Sequence, residues 1–335
     1  MDGYLGRQPD ESADSLEMLS DSLDPESLYV AFGSFEGQWQ VMRFDRFSRQ
    51  QTLDPDASHR GFVPGTWESS LSQESYMDYV ETIRKEIASG WVYQVNACRL
   101  LATESKTDLQ HIFNEIQRIH HAPAASYWKS DSWQIASASP ESFFRVERRG
   151  TGRFITTSPI KGTSRDGHFK EKDSAENVMI VDLMRNDISP LCKLGSVKVP
   201  RLLGVEEHPG LFHLVSDVEG ELKDGLSWKA ILERLSPVGS ISGAPKSSAL
   251  EVISRIESYR GAYCGTLGWI KGEEAHFAVL IRTFFRDLSR DPHRIYFGTG
   301  AGITWGSDAL DEWRETELKA ERLIALTKPQ QGFAE

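Results

Sequence analysis

Apolar residues recur along the chain with two spacings, which together predict a mixture of helices and strands. Spacing of three to four residues predicts helices at 75–88, 107–120, 173–183, 228–235, 246–257 and 308–327. Shorter apolar runs between turn residues predict strands at 28–32, 39–44, 91–101, 126–139, 141–146, 153–157, 211–218, 261–271, 276–287 and 294–300. Because short turns join many of these strands, the pattern predicts an α+β fold with a large, mainly antiparallel sheet system.

The N-terminal part differs from the rest of the chain. Residues 1–24 are acidic and rich in serine, so we expect them to be loosely docked. The runs 28–32 and 39–44 flank Gly33 and Gly37, which predicts a hairpin, and the polar stretch 50–65 predicts a linker. The sequence therefore predicts a short N-terminal segment over 1–71, one domain over 72–327 and a tail over 328–335.

Composition narrows the class of protein. The chain has 38 basic and 49 acidic residues, a net charge of −11, so nucleic acid is not expected as the main partner. No apolar run has bilayer length and the acidic N-terminus is unlike a signal peptide, so we expect no membrane site and a cytoplasmic location. Three widely spaced cysteines, Cys98, Cys192 and Cys264, predict neither a disulfide framework nor a zinc site.

One lysine stands in a turn-like stretch, 158–163, between Pro159 and Gly162. If the Lys161 amine is held near a ligand and desolvated, it can act as a nucleophile. The commoner alternative for a lysine is a solvated surface charge. The stretch alone leaves both readings open.

Two pairs of acidic residues have a spacing that places them on one helix face: Asp173 with Glu176, and Glu312 with Glu315. Carboxylate oxygens on one face suit a hard cation such as Mg²⁺, which binds few protein carboxylates and often a substrate anion as well. A solvated helix face is the alternative.

Two glycine-rich stretches, 298–303 and 239–246, are predicted as turns before helices. Their backbone N–H groups could receive an anion, although a tight turn without a ligand explains them equally well. Neither matches a dinucleotide fingerprint or a P-loop.

Three further ionisable residues are candidates for chemistry. Arg282 lies inside an apolar predicted strand and needs an anionic partner, either a protein carboxylate or a ligand. Glu141 follows a strand-breaking proline and could be a general acid if it is buried, or an exposed turn residue if it is not. His213 lies among apolar residues, where a core histidine is the usual reading. No nucleophile elbow is present, so Lys161 is the leading nucleophile.

Nine ordered runs over about 72–327 resemble the chorismate-utilising enzymes. They are YQVN (93–96), SPE (139–141), PIKGT (159–163), AENVMIVDLMRND (175–187), HLVS (213–216), GSISGAPK (239–246), YCG (263–265), IRT (281–283), and ET (315–316) with KA (319–320). The resemblance implies two packed, mainly antiparallel sheets flanked by helices. It also implies Mg²⁺ as cofactor and chorismate as substrate.

The resemblance also implies roles for individual residues. Mg²⁺ would be held by Glu176 and Glu315, with Glu312 and Asp173 completing the shell. The substrate site would comprise Gln94, Gly162, Thr163, Tyr263, Arg282, Thr299, Gly300, Ala301, Gly302 and Lys319. Of these, Arg282, Tyr263, Lys319 and the Gly300–Ala301–Gly302 backbone would receive the carboxylate that does not face the metal. Glu141 would protonate the leaving C4 hydroxyl.

Two positions distinguish members of the resembled family. Members that add water carry a lysine at the position of Gln94, and anthranilate-forming members usually carry alanine at the position of Lys161. The resemblance therefore favours amination of chorismate at C4 for p-aminobenzoate and folate synthesis, with Lys161 attacking C2 before ammonia attacks C4. His213 matches a histidine that assists pyruvate elimination, so anthranilate formation stays an alternative. A non-catalytic chorismate sensor is a third hypothesis, and the presence of Lys161 and Glu141 argues against it.

The resemblance has two consequences for partners and regulation. Full-length relatives carry a longer N-terminal portion with a tryptophan pocket, so we do not expect that pocket here. The sequence contains no glutaminase segment, so ammonia is expected from a glutamine amidotransferase subunit.

Overall fold

The structure is a computed structural model that describes residues 4–6, 8–49, 65–119, 122–164, 166–169, 171–208 and 211–327. In chain order the strands are β1 (Tyr4–Gly6), β2 (Glu11–Ala13), β3 (Leu28–Gly33), β4 (Trp39–Phe44), β5 (Phe47–Arg49), β6 (Glu68–Ser69), β7 (Gln94–Glu104), β8 (Ser126–Lys129), β9 (Trp133–Ser137), β10 (Ser142–Arg149), β11 (Gly152–Thr157), β12 (Ile160–Ser164), β13 (Lys198–His208), β14 (Leu211–Glu221), β15 (Gly243–Ala244), β16 (Thr266–Lys271), β17 (Glu274–Val279), β18 (Thr283–Asp287) and β19 (Arg294–Ile303). The helices are α1 (Gln73–Ala88), α2 (Leu109–Ile119), α3 (Glu171–Ile188), α4 (Trp228–Leu235), α5 (Lys246–Ile256) and α6 (Ala309–Ala325).

All six predicted helices are confirmed, and side-chain caps explain where several begin. Ser72 accepts a hydrogen bond from the Ser75 N–H at the start of α1, and Asp308 accepts from two N–H groups at the start of α6. Helix α3 extends five residues past the predicted end at 183, to Ile188. None of the described helices is long and apolar enough to cross a membrane.

Two large sheets contain most of the strands, and every strand pair described is antiparallel. The ten-stranded sheet has the order β12-β14-β11-β10-β17-β16-β3-β4-β2, with β13 also paired to β14. The seven-stranded sheet has the order β15-β7-β19-β18-β9-β8, with β6 also paired to β7. Strand β13 is missing from the sequence prediction, because Pro200 and Gly204 interrupt its apolar pattern.

The two sheets pack face to face, and helices cover both outer surfaces. Phe32 and Leu267 of the ten-stranded sheet share one buried cluster with Leu100, Trp133 and Phe285 of the seven-stranded sheet. Helices α3 and α4 pack on the far side of the first sheet, and α1, α2, α5 and α6 pack on the far side of the second. The predicted α+β class with two packed sheets is therefore confirmed.

The chain passes between the two sheets at two neighbouring places. Strands β9 and β18 pair in the seven-stranded sheet, and their continuations β10 and β17 pair in the ten-stranded sheet. The prediction of one strand over 276–287 with Arg282 inside it is therefore wrong. Arg282 lies at the crossover, with a φ of 53° that a sheet residue does not adopt.

The N-terminal segment is more firmly packed than its composition suggests. The hairpin of β3 and β4 is confirmed, and it extends the ten-stranded sheet through β16. The expectation of loose docking for 1–24 is wrong for the part described, because β2 pairs with β4 and both Leu16 and Leu19 are buried. Residues 50–64 of the predicted linker and the tail 328–335 lie outside the described residues.

The tip of this hairpin holds the loop that precedes β16. The Glu36 carboxylate accepts hydrogen bonds from the backbone N–H groups of Arg260 at 2.7 Å and Gly261 at 3.1 Å. The Phe35 N–H in turn donates to the Gly261 carbonyl at 2.9 Å. The hairpin therefore fixes the backbone that leads to Tyr263.

We expect Glu36→Ala to lower the free energy of unfolding by about 1–2 kcal/mol, because two backbone donors lose their acceptor. Urea denaturation measures the change. Glu26→Ala is the matched control, since Glu26 is exposed in the same segment and should stay within about 0.5 kcal/mol of the parent. Equal stability of the two variants would contradict this account of the hairpin.

Candidate active site

Lys161 lies on a β-bulge in β12 rather than in the predicted turn. Ile160 is opposite Val215 and Thr163 is opposite His213, so Lys161 and Gly162 together face a single residue of β14. Gly162 has a φ of 84°, which favours glycine, and a Cβ there would lie 3.1 Å from Asp173. A bulge re-aims one side chain out of the strand pattern. Here the re-aimed side chain is the lysine.

The Lys161 amine contacts two acceptors from different parts of the fold. Its Nζ donates to the Ser240 carbonyl at 3.2 Å and lies 3.6 Å from Glu176 Oε1 of α3. Both charged side chains are largely buried, at 18% and 20% exposure. The same Glu176 oxygen accepts from Gln94 Nε2 of β7 at 2.7 Å, so these contacts join the two sheets.

Glu141 is buried at the crossover between β9 and β10, with 6% exposure. Its Oε1 accepts from the Ser240 hydroxyl at 3.2 Å. Burial raises the pKa of Glu141 above its ordinary value. Lys161, the Ser240 hydroxyl and the cations Arg282 and Lys319 oppose that rise. A buried carboxyl with a raised pKa can hold a proton for a general acid.

The glycine-rich stretch 298–303 is part of strand β19, so the predicted turn is wrong. Gly298, Gly300 and Gly302 alternate along one face of the strand. A Cβ at Gly298 would lie 2.1 Å from the Tyr263 ring, and one at Gly302 would lie 2.4 Å from Gln94 Nε2. The glycines are needed for space: their missing side chains make room for those of Tyr263 and Gln94.

One edge of β19 is open beside this glycine face. Gly300 is opposite Cys98 of β7, yet the Cys98 N–H donates to Glu257 rather than to β19. The Gly300 carbonyl accepts from Lys319 of α6 at 3.0 Å. In an antiparallel pair, the N–H and C=O of one residue point to the same side. The Gly300 N–H therefore points away from β7, toward the edge that Lys319 occupies.

Tyr263 lies near this edge, and Arg282 directly precedes β18, which pairs with an earlier part of β19. Both the Tyr263 hydroxyl and Asn96 Oδ1 would be within about 3 Å of a Cβ on Gly300, at 2.9 and 3.0 Å. Burial raises the pKa of Tyr263, which keeps the phenol neutral. Burial lowers the pKa of Arg282, the nearby Arg322 lowers it further, and Glu141 opposes the change.

The predicted metal ligands lie on two helices, α3 and α6, and their carboxylate oxygens are the donors that Mg²⁺ prefers. Three of the four are near a lysine: Glu176 near Lys161, Glu312 at 3.9 Å from Lys172, and Glu315 at 2.7 Å from Lys319. Burial raises the pKa of Glu312, and the nearby Glu315 also raises it.

The chemistry of these donors therefore fits Mg²⁺, but the structure does not gather them into one cluster. Among the described residues, no three carboxylate, imidazole or thiolate groups lie close enough together to hold one ion. Asp173 packs against Gly162, where an added Cβ would lie 3.1 Å from the Asp173 side chain.

The remaining predicted site residues are Thr163, His213, Thr299 and Ala301. The Thr299 hydroxyl donates to the Thr316 carbonyl of α6, and Ala301 is buried in the cluster beneath α1 and α5, so only its backbone can face a ligand. His213 is buried in β14 directly opposite Thr163, whose side chain lies outside the described part.

Two site residues were missed in the sequence interpretation. Ser240 contacts both Lys161 and Glu141, and Asn96 lies beside Gly300. Each lies inside a run that the interpretation had selected, 239–246 and 93–96, but for its glycines or its neighbour. The 239–246 run supplies a serine to the site. Anion binding by its backbone N–H groups stays one of the two alternatives.

The site combines a buried lysine, a buried carboxyl and an open backbone edge between two packed antiparallel sheets. This combination is typical of a small-molecule site in an α+β protein. Residues 26–325 match the family of chorismate binding enzymes, and the chain belongs to that family.

Curated relatives include proteins with two different names. The chain is 36% identical over 277 residues to anthranilate synthase component 1 of Saccharolobus solfataricus, covering 78% of this chain and 64% of that protein. It is 35% identical over 277 residues to aminodeoxychorismate synthase component 1 of Klebsiella aerogenes, covering 78% and 60%. The chain thus spans about six tenths of the length of these relatives. Identities so similar do not distinguish the two.

The fold has a solved counterpart. Anthranilate synthase component I from Streptococcus pneumoniae superposes with a TM-score of 0.82 at 22% identity, covering 98% of this chain and 92% of that one. The agreement supports the arrangement of the two sheets.

We expect Gly302→Ala to weaken chorismate binding at least about tenfold, because its Cβ must displace the Gln94 amide from Glu176. The atom displaced is the flexible end of a side chain, so the variant should still fold. Calorimetric titration without ammonium measures the affinity. Gly306→Ala is the control, since no atom lies within 4 Å of its Cβ position. Unchanged binding by Gly302→Ala would contradict the placement of Gln94 in the site.

Proposed function

We propose that the protein is an aminodeoxychorismate synthase component 1, which aminates chorismate at C4 to give 4-amino-4-deoxychorismate. The observation that carries the proposal is the placement of Lys161. Its amine lies on a bulge between Ser240 and Glu176, largely buried and directed into the same cleft as Glu141. A solvated surface lysine would not have these partners.

Lys161 first gives its ammonium proton to water, and its free amine then forms a bond to C2 of chorismate. The C1=C2 and C5=C6 double bonds shift to C1=C6 and C4=C5, and the C4–O bond breaks. Glu141 donates its proton to the leaving hydroxyl, which departs as water. Burial raises the pKa of Glu141, which favours the protonated form needed for this transfer.

The second step reverses the shift of double bonds. Ammonia attacks C4, the double bonds return, and the bond between C2 and the lysine nitrogen breaks. The Glu141 carboxylate takes a proton from the new ammonium group and is ready for another cycle. Chorismate and ammonia are thus converted to the amino product and water.

The substrate carries two carboxylates, and we assign one to each side of the cleft. Arg282, Tyr263, Lys319 and the Gly300 N–H would receive one carboxylate at the open edge of β19. Glu176 and Glu315, with Glu312 and Asp173, would hold Mg²⁺ near the other. The ion would neutralise that carboxylate when bound. Lys161 and Lys319 lie beside Glu176 and Glu315 and would face the bound substrate.

Ammonia is assigned to a glutamine amidotransferase subunit. Relatives with both names are called component 1, which implies a second component for those proteins. The assignment to p-aminobenzoate and folate synthesis, and to the cytoplasm, accompanies the proposed reaction.

Anthranilate synthase component 1 is a second candidate because of His213. This histidine is buried in β14 directly opposite the strand of the bulge, two residues from Lys161 in register. A base at that position could assist loss of the enolpyruvyl group. A lysine beside it has no role in that reaction.

The function is tested by incubating the protein with chorismate, ammonium and Mg²⁺, and in parallel with a chelator in place of Mg²⁺. We expect 4-amino-4-deoxychorismate, identified by chromatography and mass spectrometry, and no turnover with the chelator. Accumulation of fluorescent anthranilate would replace this proposal with the second candidate.

In the same assay we expect Lys161→Ala to lose at least about a hundredfold in rate, because the nucleophile is removed.

Lys85→Ala is the control for that variant, since Lys85 is exposed on α1. It should keep the parent rate. Lys161→Arg retains the positive charge but not a free amine, so it should be as inactive as Lys161→Ala. Full activity of Lys161→Arg would assign the residue an electrostatic role and contradict the covalent one.

A further inference from the structure

Ser240 touches both groups to which the proposed chemistry is assigned. Its hydroxyl donates to Glu141 Oε1 at 3.2 Å, and its carbonyl accepts from Lys161 Nζ at 3.2 Å. The side chain is buried, at 6% exposure. A single residue therefore sets the distance between the lysine and the acid.

The turn that carries Ser240 is fixed against α3. Gly239, the preceding residue, is so close to this helix that a Cβ would lie 2.8 Å from Asp187 Oδ2. The same Asp187 oxygen accepts from Lys246 Nζ at 3.1 Å, and both side chains are buried or nearly so, at 5% and 17% exposure. Lys246 begins α5, so this ion pair closes the turn from its far end. Ser240 thus stands on a backbone that has little freedom to move.

We propose that Ser240 is a positioning residue, whose hydroxyl orients the Glu141 carboxyl toward the leaving group and whose carbonyl aims the Lys161 amine. The inference rests on the proposed function, which it deepens by adding the residue that couples the acid to the nucleophile. It also makes a prediction about Glu141 that does not depend on turnover.

The direction of that prediction follows from the groups that face Glu141. They are Lys161 from β12, Ser240 from the turn, Arg282 from the second crossover and Lys319 from α6. A hydroxyl that donates to a carboxylate favours the ionised form and lowers the pKa. Its removal must therefore raise the pKa of Glu141 further, while the three cations stay in place. The acid then stays protonated to higher pH, but it is free to rotate.

The test compares Ser240→Ala, Ser240→Thr and the control Ser254→Ala, which removes an exposed hydroxyl from α5. Glutamate labelled with ¹³C at the carboxyl carbon reports the titration of Glu141 in the free protein, and Glu141→Gln identifies its resonance. We expect the midpoint to move upward by roughly one pH unit in Ser240→Ala. Ser240→Thr, which keeps a hydroxyl, should restore it, and Ser254→Ala should not change it.

The same variants are then assayed for ammonia-dependent amination across pH. We expect kcat of Ser240→Ala to fall roughly tenfold and its alkaline limb to move to higher pH with the midpoint. A merely structural serine would lower the rate without moving either pH dependence, and that result would overturn the inference. If the parent protein does not aminate chorismate, the proposed function fails, and the titration of Glu141 still decides the role of Ser240.

Discussion

The two crossovers between the sheets constrain the whole site. Strands β9 and β18 pair in one sheet, and β10 and β17 pair in the other. The segment from β9 to β10 and the segment from β17 to β18 must therefore cross between the sheets at the same place. The backbone groups freed there satisfy one another: the Ala138 N–H donates to the Arg282 carbonyl, and the Val279 N–H donates to the Glu141 carbonyl. Buried backbone groups require such partners. The seam between the sheets is therefore stable without a continuous ladder, and it carries Glu141 and Arg282.

The rest of the cleft is assembled around this seam by charge. Buried carboxylates and cations are costly unless they are paired, and the site pairs them across elements that are distant in sequence. Lys161 of β12 is near Glu176 of α3, and Gln94 of β7 bonds the same carboxylate from the opposite sheet. An acidic chain can therefore still place cations such as Lys161 and Lys319 in one site, each beside a carboxylate. The net charge of −11 is therefore compatible with the dianionic substrate that we propose.

The helices and most of the strands could be predicted from the sequence because each has a local signal. The spacing of apolar residues and the capping residues Ser72 and Asp308 are examples. The crossover at Arg282 could not be predicted, since the apolar run continues through it and only long-range pairing splits it between two sheets. The same holds for 298–303, where glycines usually mean a turn but here make room for the Tyr263 and Gln94 side chains.

The sequence indicated several residues of the candidate site but not how they are arranged. Lys161, Glu141 and Glu176 were selected from local motifs, residue spacing and the family resemblance, and the structure brings Lys161 close to both. Ser240 was not selected, because a serine in a glycine-rich run has no local signal of its partners. The bulge at Gly162 could not be predicted from the sequence either, since its register depends on β14, about fifty residues further along the chain.

In the proposed reaction the Lys161 amine forms a covalent bond to the substrate. This bond can be detected by peptide mapping with mass spectrometry, after incubation with chorismate and Mg²⁺ without ammonia and rapid quenching in acid. We expect the peptide containing Lys161 to gain the mass of chorismate less water, and added ammonium to remove the modification. An unmodified Lys161 peptide, in a preparation that aminates chorismate at C4 when ammonium is added, would contradict the account.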